Sequence, residues 1–380
     1  MIKIIFKILK KKISFKNFRN SNFDVVLFDR NYARLDLKGL NTLVYNENNI
    51  YLLYLLKSLI AYLKPKNKFS LKENYFKLLY SDFNAKVAIG HDIELRIFDF
   101  KKLSSKTKVI VYQHGFYWPL HQARSAQRFK NLKSDFFLIF DKWHKKIFER
   151  VKTKFIINGS VKNNEMKIKY KKSKKKKYDI MYISQFRYLD KICLTEKKSG
   201  YESFVYENHA HAMKYTDTLE VFILKILNEY CKKNKKSLCV ALASNRKEKK
   251  NKMSQEDELK FYNQYLDNFK TESNNSYEIA EKSNLTICLS SNLGPELLSR
   301  GKKVLFLNAN TLISDWHFLK KEEGPFWYKG KRKEKIFKKI KFLLSCSSDK
   351  WSKIIQKNKS IKMPFDQNNL QLKKLINKLI

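Results

Sequence analysis

Three short polar segments, each at the end of an apolar run, carry the residues of this sequence best able to do chemistry. The first is Gln113-His114-Gly115, which closes the run KVIVYQ. An imidazole at that place can act as a general base or donate a hydrogen bond to a phosphate, so His114 is a candidate for either role. Gly115 lets the backbone turn closely beneath a ligand. The competing reading of His114 is a satisfied structural histidine.

The second segment is SSNLGPE, residues 290–296, between the run NLTICLS and the amphipathic ELLSRG. Ser290, Ser291 and Asn292 supply hydroxyl and amide donors at the start of a predicted helix, where an anion is favoured. Proline is tolerated in the first helical turn. Glu296 has the right chemistry to accept hydrogen bonds from the two vicinal hydroxyls of a ribose. A serine cap with a dipole-compensating glutamate explains the same residues without a ligand.

The third segment is Ser184-Gln185-Phe186-Arg187, after DIMYIS, where a polar turn and a guanidinium suit a diphosphate or the edge of a base. Weaker candidates are His91-Asp92 at the end of KVAIGH, which could line an acceptor side together with Gln113, and Arg246 after SLCVALA. His209 and His211 are two apart, and a helix would send them to different faces, which argues against a metal site. Neither GxxxxGK[ST] nor GxGxxG occurs, which weighs against P-loop ATPases and ordinary dinucleotide enzymes.

These segments need elements to position them, and the pattern supplies β-rich runs alternating with amphipathic stretches. Runs at 24–29, 41–45, 86–91, 108–113, 135–140 and 154–158 read as strands, with helices predicted at 51–63, 75–80 and 143–151. A second series has strands at 179–184, 237–243, 284–290 and 302–307. Its helices are expected at 208–233, within 256–269, and at 295–300, 333–344, 349–356 and 367–379. Alternation of this kind implies βαβ units and mainly parallel sheets. The fold class is α/β, with two Rossmann-like domains expected to face a central cleft. The domains divide as 1–165 and 178–366, with a basic linker at 166–177 and a C-terminal helix at 367–380; the run from Asn163 onward reads as solvated.

The 380 residues carry 80 Lys+Arg against 36 Asp+Glu, a net charge of +44. Lysine is spread through nearly every segment while Gly and Pro are scarce, which reads as the surface of a protein from an AT-rich genome; an anionic partner is the alternative. Residues 1–18, MIKIIFKILKKKISFKNF, fit a basic amphipathic helix on an anionic leaflet or a frayed first helix, and no run reaches the length of a membrane span. Five cysteines (Cys193, Cys231, Cys239, Cys288, Cys346) without a CxxC pair suggest neither a disulfide framework nor a zinc site.

The stretches KVAIGHDIELRIFDFKKLSSKTKVIVYQHGFYWP and NLTICLSSNLGPELLSRGKKVLFLN, together with the tail GPFWYKG to MPFDQNNLQLKKLI, resemble GT-B glycosyltransferases of bacterial surface-carbohydrate synthesis. They are similar, more remotely, to capsule Kdo transferases and CDP-glycerol glycerophosphotransferases. The resemblance covers roughly a third of the chain. It implies that Ser290, Ser291, Asn292 and Gly294 meet a donor phosphate, that Glu296 meets ribose, and that Ser184 and Gln185 open the donor domain. Asn292, Leu297 and His114 stand where those proteins commonly have Thr, Ala and Asn. The implied activity moves a sugar, or a polyol phosphate, from a nucleotide-activated donor (CMP, CDP, UDP or GDP type) to a surface polysaccharide or lipopolysaccharide acceptor. No cofactor, metal or specific nucleic acid is expected. The location is cytoplasmic, with peripheral placement on the inner membrane as a further option. The competing functions are a nucleotide-sugar epimerase of the same architecture and a non-catalytic basic binding protein for nucleic acid or membrane.

Overall fold

The computed structural model describes residues 12–19, 21–28, 35–46, 49–64, 68–104, 106–117, 127–168, 176–186, 219–243, 255–272, 275–307, 316, 319 and 321–380. Two units emerge. One is drawn from Met1–Phe116, Ala123–Met166 and Pro364–Ile380, the other from Tyr117–Gln122 and Lys167–Met363.

In the first unit the strands are β1 (Lys12–Ser14), β2 (Phe23–Leu27), β3 (Thr42–Val44), β4 (Asn49–Tyr51), β5 (Ala85–His91), β6 (Lys108–Tyr112), β7 (Lys133–Ile139) and β8 (Lys152–Ile157). Six of them form one parallel sheet in the order β3-β2-β5-β6-β7-β8. The helices are α1 (Leu52–Tyr62), α2 (Leu71–Ser81), α3 (Arg96–Leu103), the short α4 (Val161–Glu165) and the C-terminal α11 (Leu370–Leu379). Strands as apolar as KVIVY are covered on both faces, as parallel strands require. Val25, Leu27, Val87, Ile89, Ile110, Tyr112 and Leu138 pack with Leu372 and Ile376 of α11. On the other face α3 packs against the sheet, with the Phe98 ring 6.5 Å from that of Phe137.

The returning C-terminal segment explains why Asn163, Asn164 and Glu165, which read as the start of a solvated run, are buried. Asn164 Oδ1 accepts from Asp366 N at 3.0 Å, and Glu165 Oε2 accepts from Asn369 Nδ2 at 3.0 Å. Polar residues can enter a core when the partner arrives from far along the chain.

Two helix expectations are corrected. Over 143–151 only Trp143–Lys146 form one 3-10 turn. Ile147 N bonds His144 O and Val151 N bonds Phe148 O in successive tight turns, and the buried Ile147, Phe148 and Val151 enter the core. Among residues 1–18 the described part, Lys12 onward, is a short strand parallel to β4 and then irregular chain, because edge pairing supplies its backbone partners. Residues 1–11 lie outside the described residues.

The second unit contains β9 (Tyr178–Ile183), α5 (Leu219–Asn234), β10 (Leu238–Ala241), α6 (Gln255–Asn263), β11 (Lys270–Thr271), α7 (Ser276–Glu281), β12 (Ser283–Cys288), α8 (Leu293–Ser299) and β13 (Val304–Leu307). These are followed by β14 (Glu323–Gly324), β15 (Trp327–Tyr328), α9 (Lys333–Ser345) and α10 (Ser348–Lys357). Its sheet runs β11-β10-β9-β12-β13-β15-β14, parallel except for the β14–β15 hairpin. The aromatics of GPFWY are core: Phe326, Trp327 and Tyr328 are buried. Cys231, Cys239, Cys288 and Cys346 are buried free thiols, while Cys193 lies outside the described residues.

Gly294 shows how tightly α8 lies on this sheet. A Cβ there would fall on Cys288 Sγ and the Phe306 ring. Gly294→Ala is therefore expected to overpack the helix–strand contact and lower stability by about 1–3 kcal/mol, read as a lower denaturant midpoint. Unchanged stability would mean that α8 can lift off the strand.

Candidate functional site

In a parallel α/β sheet the loops after the strands collect at one edge, and the place where strand order reverses opens a crevice. The first sheet reverses between β2 and β5, the second between β9 and β12.

At the first edge, His91 and Tyr112 are paired in register at the ends of β5 and β6. Continuing one residue past His91 and two past Tyr112 brings Asp92 and His114 together. Asp92 Oδ1 accepts from His114 N at 2.9 Å and lies 2.8 Å from His114 Nδ1. Asp92 is fully buried, while the imidazole keeps 21% of its surface exposed. A carboxylate acceptor places the ring proton on Nδ1 and makes Nε2 the basic nitrogen. Asp92 thus orients an imidazole that sits in a partly open position.

The neighbouring His91 is held in the opposite sense. Its Nδ1 accepts from Ile93 N and Glu94 N, both at 3.2 Å, so it caps a turn. Its ring centroid lies 5.9 Å from that of His114. Gln113, also expected at the acceptor side, is a buried staple: Nε2 donates to Gly115 O at 2.7 Å and Oε1 accepts from Phe140 N at 3.0 Å. Asp92, expected beside His91 at the acceptor side, is instead the partner of His114, a pairing that was not expected from the sequence. Its signal was an acid directly after one strand whose parallel neighbour ends in histidine. A second pair of the same form, His144 Nδ1 to Asp141 Oδ1 at 2.9 Å, is closed off, with His144 fully buried against Phe116.

At the second edge β9 and β12 are in register through Tyr182 and Ile287, which brings Gln185 level with Ser290. Ser290 Oγ donates to Gln185 Oε1 at 2.6 Å, so two of the three chemical segments meet at the switch point. Ser184 faces inward: its Oγ donates to Glu258 Oε1 at 2.5 Å and accepts from Tyr262 OH at 2.7 Å. Glu220 Oε1 accepts from Gln185 N at 3.0 Å and Tyr182 OH at 2.9 Å, and lies 2.7 Å from the Tyr262 hydroxyl oxygen. Both glutamates are fully buried. Desolvation pushes the Glu220 carboxyl up to about 7, against the pull of these hydrogen bonds. Sequence reasoning missed Glu220 and Glu258 because an acid in a helix ordinarily faces water.

The start of α8 is also turned inward. Leu293 N donates to Ser291 Oγ at 3.3 Å and Gly294 N to Ser291 O at 3.0 Å. Glu296 is buried, and its Oε2 accepts from Tyr277 OH at 2.5 Å, with the Arg300 guanidinium 5.3 Å from the Tyr277 ring centre. Ser291 and Asn292 remain partly exposed, whereas Ser290, Gly294 and Glu296 are buried. Arg187, His209, His211 and Arg246 lie outside the described residues.

Two α/β units with parallel sheets, each with polar groups gathered after its strands, define a two-domain Rossmann-like protein. The chain belongs to the family described as an O-antigen biosynthesis protein, whose model matches residues 113–380. No curated protein matches it by sequence. Its structure is similar to that of TarM at 11% identity and TM-score 0.44, covering 83% of this chain and 59% of TarM. It is also similar to a Listeria monocytogenes protein described as a UDP-N-acetylglucosamine 2-epimerase, at 10% identity and TM-score 0.47, covering 83% and 82%. A third similar structure is the wall teichoic acid polymerase TagF at 11% identity and TM-score 0.45, covering 93% of this chain and 88% of that one.

Proposed function

We propose that the protein is a GT-B-type glycosyltransferase that moves a sugar, or a polyol phosphate, from a nucleotide-activated donor to a glycan or lipid-linked glycan acceptor in surface polysaccharide or lipopolysaccharide synthesis. The observation that carries the reading is the Asp92–His114 pair: a buried carboxylate orients a part-exposed imidazole at the carboxyl edge of a parallel sheet. His114 Nε2 takes the proton of the acceptor hydroxyl as that oxygen attacks, and the nucleotide leaves with its phosphate charge. Ser291 and Asn292 are the groups of the second unit that meet this phosphate, without a metal. Gln185 and Ser290 hold their turn, and Glu296, engaged by Tyr277, sets the α8 start rather than touching ribose. Family membership in O-antigen biosynthesis supports the acceptor class. A cytoplasmic location, peripheral to the inner membrane, belongs to the same proposal; among the described residues no helix is long and apolar enough to cross a membrane.

The test is a thermal-shift screen of the whole protein against CMP, CDP, UDP and GDP. One nucleotide is expected to stand out, since a ligand at a hundredfold excess over its Kd adds about 2.7 kcal/mol of apparent stability. Ser291→Ala with Asn292→Ala should remove that shift. Equal, negligible shifts from all four would overturn the donor assignment.

A further inference from the structure

Helix α1 has an unusual cross-section. With 3.6 residues per turn, Tyr54 and Ser58 share one face, and Leu56, Leu59, Ile60 and Leu63 share the opposite one. Tyr54 and Ser58 are fully buried, as an inner face should be. The outer face of a surface helix normally carries charge, yet here Leu56 and Leu59 are about half exposed, Ile60 is 63% exposed and Leu63 is 73% exposed. Lys57 and Lys64, seven apart, run along one border of the stripe.

The surroundings repeat the combination. Strand β1 pairs in parallel with β4, and β4 runs directly into α1. Ile13 is 49% exposed in β1, and Phe15, next to the Ser14–Tyr51 pair, is 80% exposed. From Asn48 to Lys72 the sequence has five lysines and no acidic residue. Lys12 and Lys16 flank Ile13 and Phe15. A convex aliphatic ridge bordered by cations on long apolar stems suits a fluid apolar layer beneath an anionic surface. A nucleic acid would need the cations, not the aliphatic ridge, at the centre of contact. At eleven residues the helix is too short to span a bilayer, so it would lie in the interface.

We propose that the outer face of α1 rests on an anionic phospholipid bilayer, with Leu56, Leu59, Ile60 and Leu63 entering the boundary between headgroups and acyl chains and Lys57 and Lys64 meeting the phosphates. The inference gives a contact face to the peripheral location proposed above; it is argued from this face alone and does not depend on the catalytic reading.

The experiment is vesicle flotation of the full chain with phosphatidylcholine alone or mixed with phosphatidylglycerol. Wild type should float with the mixed vesicles and much less with phosphatidylcholine. The combined variant Leu56→Gln, Leu59→Gln, Ile60→Gln, Leu63→Gln should bind about tenfold more weakly or worse, and Lys57→Gln with Lys64→Gln should lose a few-fold and much of the salt dependence. Because all four apolar residues face outward, thermal unfolding and any nucleotide shift should stay unchanged, which separates failure here from failure of the proposed function. As a second reading, Ile60→Trp should gain emission that brominated lipid quenches. The proposal is overturned if the fourfold variant floats like wild type, if the Ile60→Trp emission is not quenched, or if the face instead supports a dimer or RNA binding that the fourfold substitution abolishes.

Discussion

Replacing His114 by alanine is expected to lower turnover by about 10²–10⁴-fold, the usual range for loss of a positioned general base. The expectation rests on how the ring is held. Asp92 Oδ1 lies within hydrogen-bond distance of both His114 N and Nδ1, so one buried carboxylate orients the loop and the imidazole together. The alanine variant should keep its donor affinity and its fold, because the ring is part exposed and fills no core position. The loss therefore belongs in kcat rather than in KM for the donor. Asp92→Asn is the sharper companion. An amide donates where the carboxylate accepted, which moves the ring proton to Nε2 and removes the base while preserving shape. Nucleotide release from the donor selected by thermal shift, measured with acceptor present, reads both effects. If His114→Ala turns over like wild type with the fold intact, His114 is structural and the reaction needs another base.

The second large effect is a pH dependence of stability set by Glu220. In the folded chain this carboxyl holds its proton up to about 7, against an ordinary value of 4.5, because burial penalises its charge and Glu258 adds to the effect, outweighing the hydrogen bonds from Gln185, Tyr182 and Tyr262. Between those two values the folded state binds more protons than the unfolded chain. Stability from this group is therefore greatest below pH 4.5, falls as pH rises toward 7, and levels off above 7. The depth of the fall is about 3 kcal/mol. Glu220→Gln keeps an oxygen for Gln185 N and removes the titration. Denaturant unfolding of both proteins at pH 5 and pH 8 should show a drop in wild type that shrinks by most of that amount in the variant. Equal drops in the two proteins would show that Glu220 ionises at its ordinary value. The difference matters for the site, since Glu220 holds the backbone of Gln185, which in turn accepts from Ser290.

Some parts of this architecture were plain in the amino-acid order. A run such as KVIVY is apolar on both alternating faces, and only a strand covered on both sides tolerates that. The short edge strands β1, β4 and β11 and the hairpin β14–β15 were not legible, because two or three residues hold no periodicity and their pairing is set by neighbours far along the chain. The helix expected over 143–151 failed for a related reason: packing of Ile147 and Phe148 outweighed helical spacing.

The candidate site divides in the same way. Residue types at strand ends are local information, so Gln113, His114, Ser184, Gln185 and Ser290 could be picked out one by one. That Asp92 orients His114 follows only from the side-by-side register of β5 and β6, and that Ser290 meets Gln185 follows only from β9 lying beside β12. Burial had the same origin. The spacing of Glu220, Glu258 and Glu296 looks like that of solvated helix acids, and only packed neighbours make them interior groups with tyrosine partners. Local order determined the strands and the chemical inventory, because hydrophobic periodicity and side-chain type are properties of short segments. Which groups touch, and which of them water reaches, was decided by the tertiary structure, because strand register and desolvation exist only between segments distant in sequence.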